Sequence, residues 1–199
     1  MIASDRGGSL ALSTMTGKLF EFRALNTNTV TNPFCIKMKE SDTICGVCYS
    51  HRMLNTFRKG CQTAWQHNSD LLSSAPLLAI PTIKDRVFRF HGHGELINAQ
   101  HLENLIAIAE HNPATTFSLW TKRKELIRAA SIKQAMPSNL ILIYSNPKID
   151  NVKGVPKYFD KVFNNVTGEA DANCTGQQCK DCLKCYTHGG TNIIVEHVK

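Results

Sequence analysis

Leu140-Ile141-Leu142-Ile143-Tyr144 is an unbroken apolar run set between Asn139 and Ser145. A strand covered on both faces loses the alternation of a half-exposed one. Five apolar residues bounded by turn formers therefore mark a strand buried inside a parallel sheet. The segments on either side agree with this. Upstream, Arg86 to Phe90 and Thr115 to Trp120 read as strands, the second with Phe117 and Leu119 on one face. Leu102, Leu105, Ile106 and Ala109 recur at helical spacing up to Pro113, and Lys122 to Ala130 reads as a short helix. Downstream, Lys161 to Val166 and Asn192 to Val198 read as strands. Strand and helix alternating in this way build βαβ units and a mainly parallel sheet. The repeats are too few for a closed eight-fold barrel. The expected fold is α/β, a partial (βα) barrel or an open, mainly parallel sheet with cysteine-rich metal-binding loops.

The first part of the chain is less regular. Lys18 to Arg23 alternates like a half-buried strand, and Asn26 to Pro33, rich in Asn and Thr, reads as a loop. Leu54, Phe57, Cys61, Trp65, Asn68 and Leu72 draw one face of a long helix. If that helix is continuous, Cys61 lies about 20 Å from Cys48, which makes Cys61 a core thiol rather than a fellow ligand.

The other seven cysteines fall into two groups. The rear one is Cys174-Thr-Gly-Gln-Gln-Cys179-Lys-Asp-Cys182-Leu-Lys-Cys185, with spacers of four, two and two residues. Such spacers are too short for ordinary disulfide loops but fold readily around an ion or cluster. The front group, within 32–49, is Cys35, a nine-residue gap, and Cys45-Gly46-Val47-Cys48. Three thiolates leave a four-iron cluster with one iron free for an outside ligand, whereas four can close a site. Cys174 could also serve the front group, as two-cluster ferredoxins exchange a ligand.

Length and composition set the frame. A chain of 199 residues, 42% hydrophobic, suits one α/β domain over 1–199. No run of eighteen apolar residues exists, so no membrane span is expected, and Met1 to Leu10 lacks the apolar core of a secretory signal. A reducing cytoplasm follows, where eight cysteines favour metal ligation over disulfides. The formal charge of +7 permits nucleic acid as a partner. Two four-thiolate centres would lower it to roughly +3, an ordinary value.

In a parallel sheet, functional groups collect at the carboxyl ends of the strands. There the strand at 86–90 runs into His91-Gly92-His93-Gly94-Glu95. Gly92 and Gly94 allow close backbone approach, and His91, His93 and Glu95 offer acid, base or ligand groups. Gly92, His93, Gly94 and Glu95 are the candidate cofactor-binding residues. Thr121 and Tyr144-Ser145-Asn146 end later strands on the same rim.

These features resemble the radical S-adenosylmethionine enzymes, although the first cysteine gap is wider here. That resemblance implies a four-iron, four-sulfide cluster on Cys35, Cys45 and Cys48, and S-adenosylmethionine at Gly94 and Glu95. The order of motifs is closer to a bacteriophage family, the gene product eighty-eight type. It comprises an early cysteine, Cys45 to Tyr49, Gly94-Glu95, Pro113 to Phe117, Thr121-Lys122 and the cysteines from 174 to 185. The likeness covers residues 32–198 and implies an iron–sulfur phage protein of the host cytoplasm. Two functions are therefore expected to compete. One is redox or radical-type chemistry at one or two clusters, acting on a small molecule or an electron-transfer partner. The other is a zinc-stabilised module that binds nucleic acid or protein. Soft thiolates accept either metal chemistry.

Overall fold

The computed structural model describes residues 8–168 and 172–198. The first seven residues of the Met1 to Leu10 reading lie outside them.

Seven strands form one sheet: β1 (Leu12–Thr14), β2 (Arg23–Leu25), β3 (Val87–Phe90), β4 (Thr116–Thr121), β5 (Leu140–Ile149), β6 (Lys161–Val166) and β7 (Ile193–His197). Their order in space is their order in sequence. β1 runs antiparallel to β2, and every later pair is parallel. The sheet stays open, with β1 and β7 as its edges, so of the two expected architectures the open one is realised. Leu140 to Tyr144 lies inside it, hydrogen-bonded between β4 and β6 and buried throughout.

Helices α1 (Pro33–Lys39), α2 (Tyr49–Asn55) and α3 (Gln62–Ser74) connect β2 to β3. Helix α4 (Ala99–His111) precedes β4, and α5 (Lys124–Lys133) precedes β5. The pleat sorts the strand residues between two cores. Phe88, Phe90, Phe117, Leu119, Leu140 and Leu142 join the large core with Leu102, Leu105 and Ile106 of α4. The alternate residues Ile141 and Ile143, with Phe163 and Ile194, form a smaller core on the opposite face. Among the described residues that face carries no long helix. Cys174, Cys185 and Trp120 pack on it instead.

Two expectations fail near the N-terminus. Lys18 to Phe22 is a turn rather than a strand, and only Arg23 of that segment enters β2. Gly17 and Glu21 take positive φ, Gly17–Leu19 is one 3-10 turn, and Phe20 points outward. The single long helix is broken after Asn55. Asn55 and Thr56 bond their side chains back to the carbonyls of His51 and Arg52, a competition that weakens helix continuation. Phe57 is consequently exposed, while Cys61 and Trp65 still pack with Met53 and Leu54.

Asn68 of α3 fastens these parts together. Its Oδ1 accepts from the Ala11 N–H, and its Nδ2 donates to the carbonyls of Ala11 and Asn26, each at 2.8 Å. Asn68→Ala strips partners from buried backbone groups beside β1 and β2. A loss of about 3 kcal/mol is expected in urea unfolding.

Candidate functional site

Asn26 to Asn32 is polar yet largely buried, and it frames the front site. The Thr27 N–H donates to the His93 carbonyl at 3.1 Å, and Asn26 Oδ1 accepts from the His93 N–H at 2.8 Å. Asn32 caps α1, accepting from the N–H groups of Phe34 and Cys35. Its Nδ2 reaches across to the Glu95 carbonyl at 2.9 Å. Cys35 therefore sits in the first turn of a helix tied to the end of β3. Cys45 lies in the following turn, which the Ile44 N–H anchors to the Pro147 carbonyl of β5 at 2.9 Å. Cys48 is the N-cap of α2. All three half-buried thiols line one cavity of about 190 Å³ with His93, Glu95 and Lys122. Burial raises the pKa of Cys35 and Cys45, with Lys122 opposing it.

The segment 91–95 divides into distinct roles. His91 and His101 are buried side by side, their Nε2 atoms 3.4 Å apart. His101 Nδ1 accepts from the Ile97 N–H, so its Nε2–H points to His91, whose Nδ1–H then donates to the Trp120 carbonyl. Both rings are thus used internally. Glu95 is also engaged: Oε1 accepts from the Leu96 N–H and the Thr121 hydroxyl, and Oε2 from the Lys122 N–H. The approach permitted at Gly92 and Gly94 is made by the chain itself. A Cβ at Gly92 would meet Met15 and Asn26, and one at Gly94 (φ +126) would stand 2.1 Å from Thr27 Oγ1. His93 lines the cavity with its ring stacked on Trp65 at 4.9 Å and flanked by Tyr49. Burial, aided by Arg89 and Arg58, lowers its pKa to about 4.

The rear cysteines share a second enclosure. Cys174 lies beside β7, bridged to Glu196, and Lys18 pairs with Glu196 while reaching Cys174 Sγ at 3.7 Å. Cys179 and Cys182 bound the one-turn helix α6 (Cys179–Cys182). Leu183 then takes a left-handed conformation that turns the chain back to Cys185. All four line one small cavity. Burial pushes the Cys185 thiol up to about 12, against the pull of Arg89. The charges acting on Cys174 include Cys182, and those on Cys35 are the other front cysteines, Glu95 and Lys122. Cys174 thus belongs to the rear group. Lys161 holds the chain behind it, donating to the carbonyls of Gly189 and Thr191 at 2.9 and 3.1 Å.

A larger cavity of about 370 Å³ joins the groups, lined by Cys45 and Cys48 from one side and Cys174, Cys179 and Cys185 from the other. Arg89 and Lys122 also line it, and the cysteine spacing gave no sign of either. The Arg89 guanidinium lies 4.2 Å from the Trp120 ring. Its place between two buried phenylalanines of β3 was the available signal, since a sheet covered on both faces turns such a position inward. Among the described residues no three His, Cys, Asp or Glu side chains are grouped to hold a single metal ion. Cysteines on one zinc stand roughly 4 Å apart, whereas those on a cluster bind different irons. All eight thiols are free.

The chain is thus an open-sheet α/β protein with two cysteine groups facing a common interior. Residues 11–188 match the Gene product 88 family, and the chain belongs to that family of phage proteins. No curated protein and no solved structure matches it. No helix among the described residues is long and apolar enough to cross a membrane.

Gly94→Ala forces both a strained φ and a clash, and should cost about 2–4 kcal/mol in chemical denaturation. Stability should also depend on pH. His91 and His93, lowered to about 4 from an ordinary 6.5 mainly by burial, and His101, also held well below 6.5 by burial, resist protonation only when folded. Their contribution is complete above pH 6.5 and is lost as pH falls towards 4. Denaturation at about pH 5 should show His91 and His93 each weakening the fold by roughly 2 kcal/mol relative to neutral pH.

Proposed function

We propose that the protein holds two iron–sulfur clusters and uses them in one-electron chemistry. Cys35, Cys45 and Cys48 would carry one cluster, and Cys174, Cys179, Cys182 and Cys185 the other. The observation that carries this reading is that two sets of free, half-buried thiols face one interior cavity. Both donor sets are all sulfur, which suits iron–sulfur ligation. When bound, such clusters accept and release single electrons, and three protein thiolates leave one iron open to a further ligand.

The remaining residues have definable parts. Asn32 fixes the helix bearing Cys35 to the Glu95 carbonyl, and Glu95 in turn holds the β4 end at Thr121 and Lys122. His93, neutral near pH 7 and held between Trp65 and Tyr49, is the segment's ligand-facing group. The rear loop covers the sheet face that lacks a helix and restricts water there. A small molecule or an electron-transfer partner fits this arrangement as the reaction's other participant.

Anaerobic purification with iron, sulfide and zinc analysis tests the proposal. About eight irons and matching sulfide per chain are expected, with broad absorbance near roughly 400 nm. Cys48→Ala and Cys182→Ala should each remove about half of the iron. Colourless protein with zinc and no sulfide would replace this reading with the zinc-stabilised module.

A further inference from the structure

Lys122 directly follows β4, and its partly buried side chain lines both the front and the joining cavities. The ammonium donates to Ser145 Oγ at 3.2 Å and forms no ion pair among the described residues. Glu95 does not neutralise it at contact distance, because that carboxylate is taken up by Thr121 and two backbone N–H groups. The other acidic groups acting on Lys122 are Cys45, Cys35 and Cys48. A cation fixed on one side by Ser145, with the Glu95 carboxylate near it but not in contact, thus lines the cavity of the three front thiols.

We propose that Lys122 is the counter-charge of the front centre, raising the reduction potential of the cluster on Cys35, Cys45 and Cys48. The inference rests on the iron–sulfur reading above. Cluster potentials follow net charge and hydrogen bonds to the sulfurs. Reduction adds one electron to an already negative, thiolate-held group, and a nearby ammonium in a low-dielectric interior stabilises the product more than the reactant. Arg89 acts on Cys179 and Cys185 but lines both cavities, as Lys122 does. The Lys122 charge should therefore be felt most strongly at the front centre and more weakly at the rear one.

The test uses full-length protein carrying Cys182→Ala, loaded anaerobically, so that the front centre is observed alone. Iron and sulfide are assayed, and the potential is measured by dithionite titration followed by electron paramagnetic resonance. Lys122→Met should shift the one-electron equilibrium at least about tenfold towards the oxidised form, a fall of about 59 mV. Lys122→Arg should restore most of that shift. In the Cys48→Ala background, Lys122→Met should move the rear potential by less than it moves the front one. A loaded Lys122→Met protein with the parent potential overturns the inference while leaving the iron–sulfur reading intact. A parent without iron or sulfide overturns that reading itself. If Lys122→Met loses its iron, normal loading of Lys122→Arg supports the counter-charge, and equal loss in both variants overturns it.

Discussion

The structure depends on burying a polar segment. Asn26 to Asn32 passes through the interior, and a chain can do this only if each amide and carbonyl finds a partner. Asn26 and Thr27 bond to His93, Asn28 to Ser69 of α3, and Asn32 to Glu95. Gly92 and Gly94 make room for it. The same contacts that satisfy this backbone set the entry of α1, and hence the position of Cys35 relative to the β3 end. The front group is therefore positioned by a hydrogen-bonded seam between two stretches distant in sequence, before any cofactor is considered.

Much of the sheet was legible because its signals are local. The run at 140–144, the alternation around Phe117 and Leu119, and the helical spacing from Leu102 to Ala109 each reflect burial that a short window records. The buried Asn and Thr segment was not legible, since polar residues in a row look like a solvated loop. Their burial is decided by partners 41 to 67 residues away. The break after Asn55 was hidden for a related reason. Apolar spacing continues on both sides of it, while the interruption comes from side chains bonding to their own backbone.

The site was legible in part. Cysteine spacing picked out two groups, and the structure sets the end of β3 beside the front one. The individual roles within His91 to Glu95 were not readable. Which histidine points inward to its neighbour and which faces a cavity depends on the left-handed turn at His91 and on His101 of the next helix. Arg89 and Lys122 were missed as site residues because a basic residue on a strand or at the start of a helix reads as surface.

The strictly sequential strand order also has a bearing on biogenesis. Each new strand adds to the edge left by the previous one, so the sheet can grow in the direction of synthesis without waiting for a later segment to insert. The front cysteines, β3 and Lys122 are all translated before the rear cysteines emerge. The chain can therefore assemble one half of its interior while the other half is still in the ribosome. The rear segment then arrives as a late cover, leaving an interval in which the sheet face it packs on remains accessible.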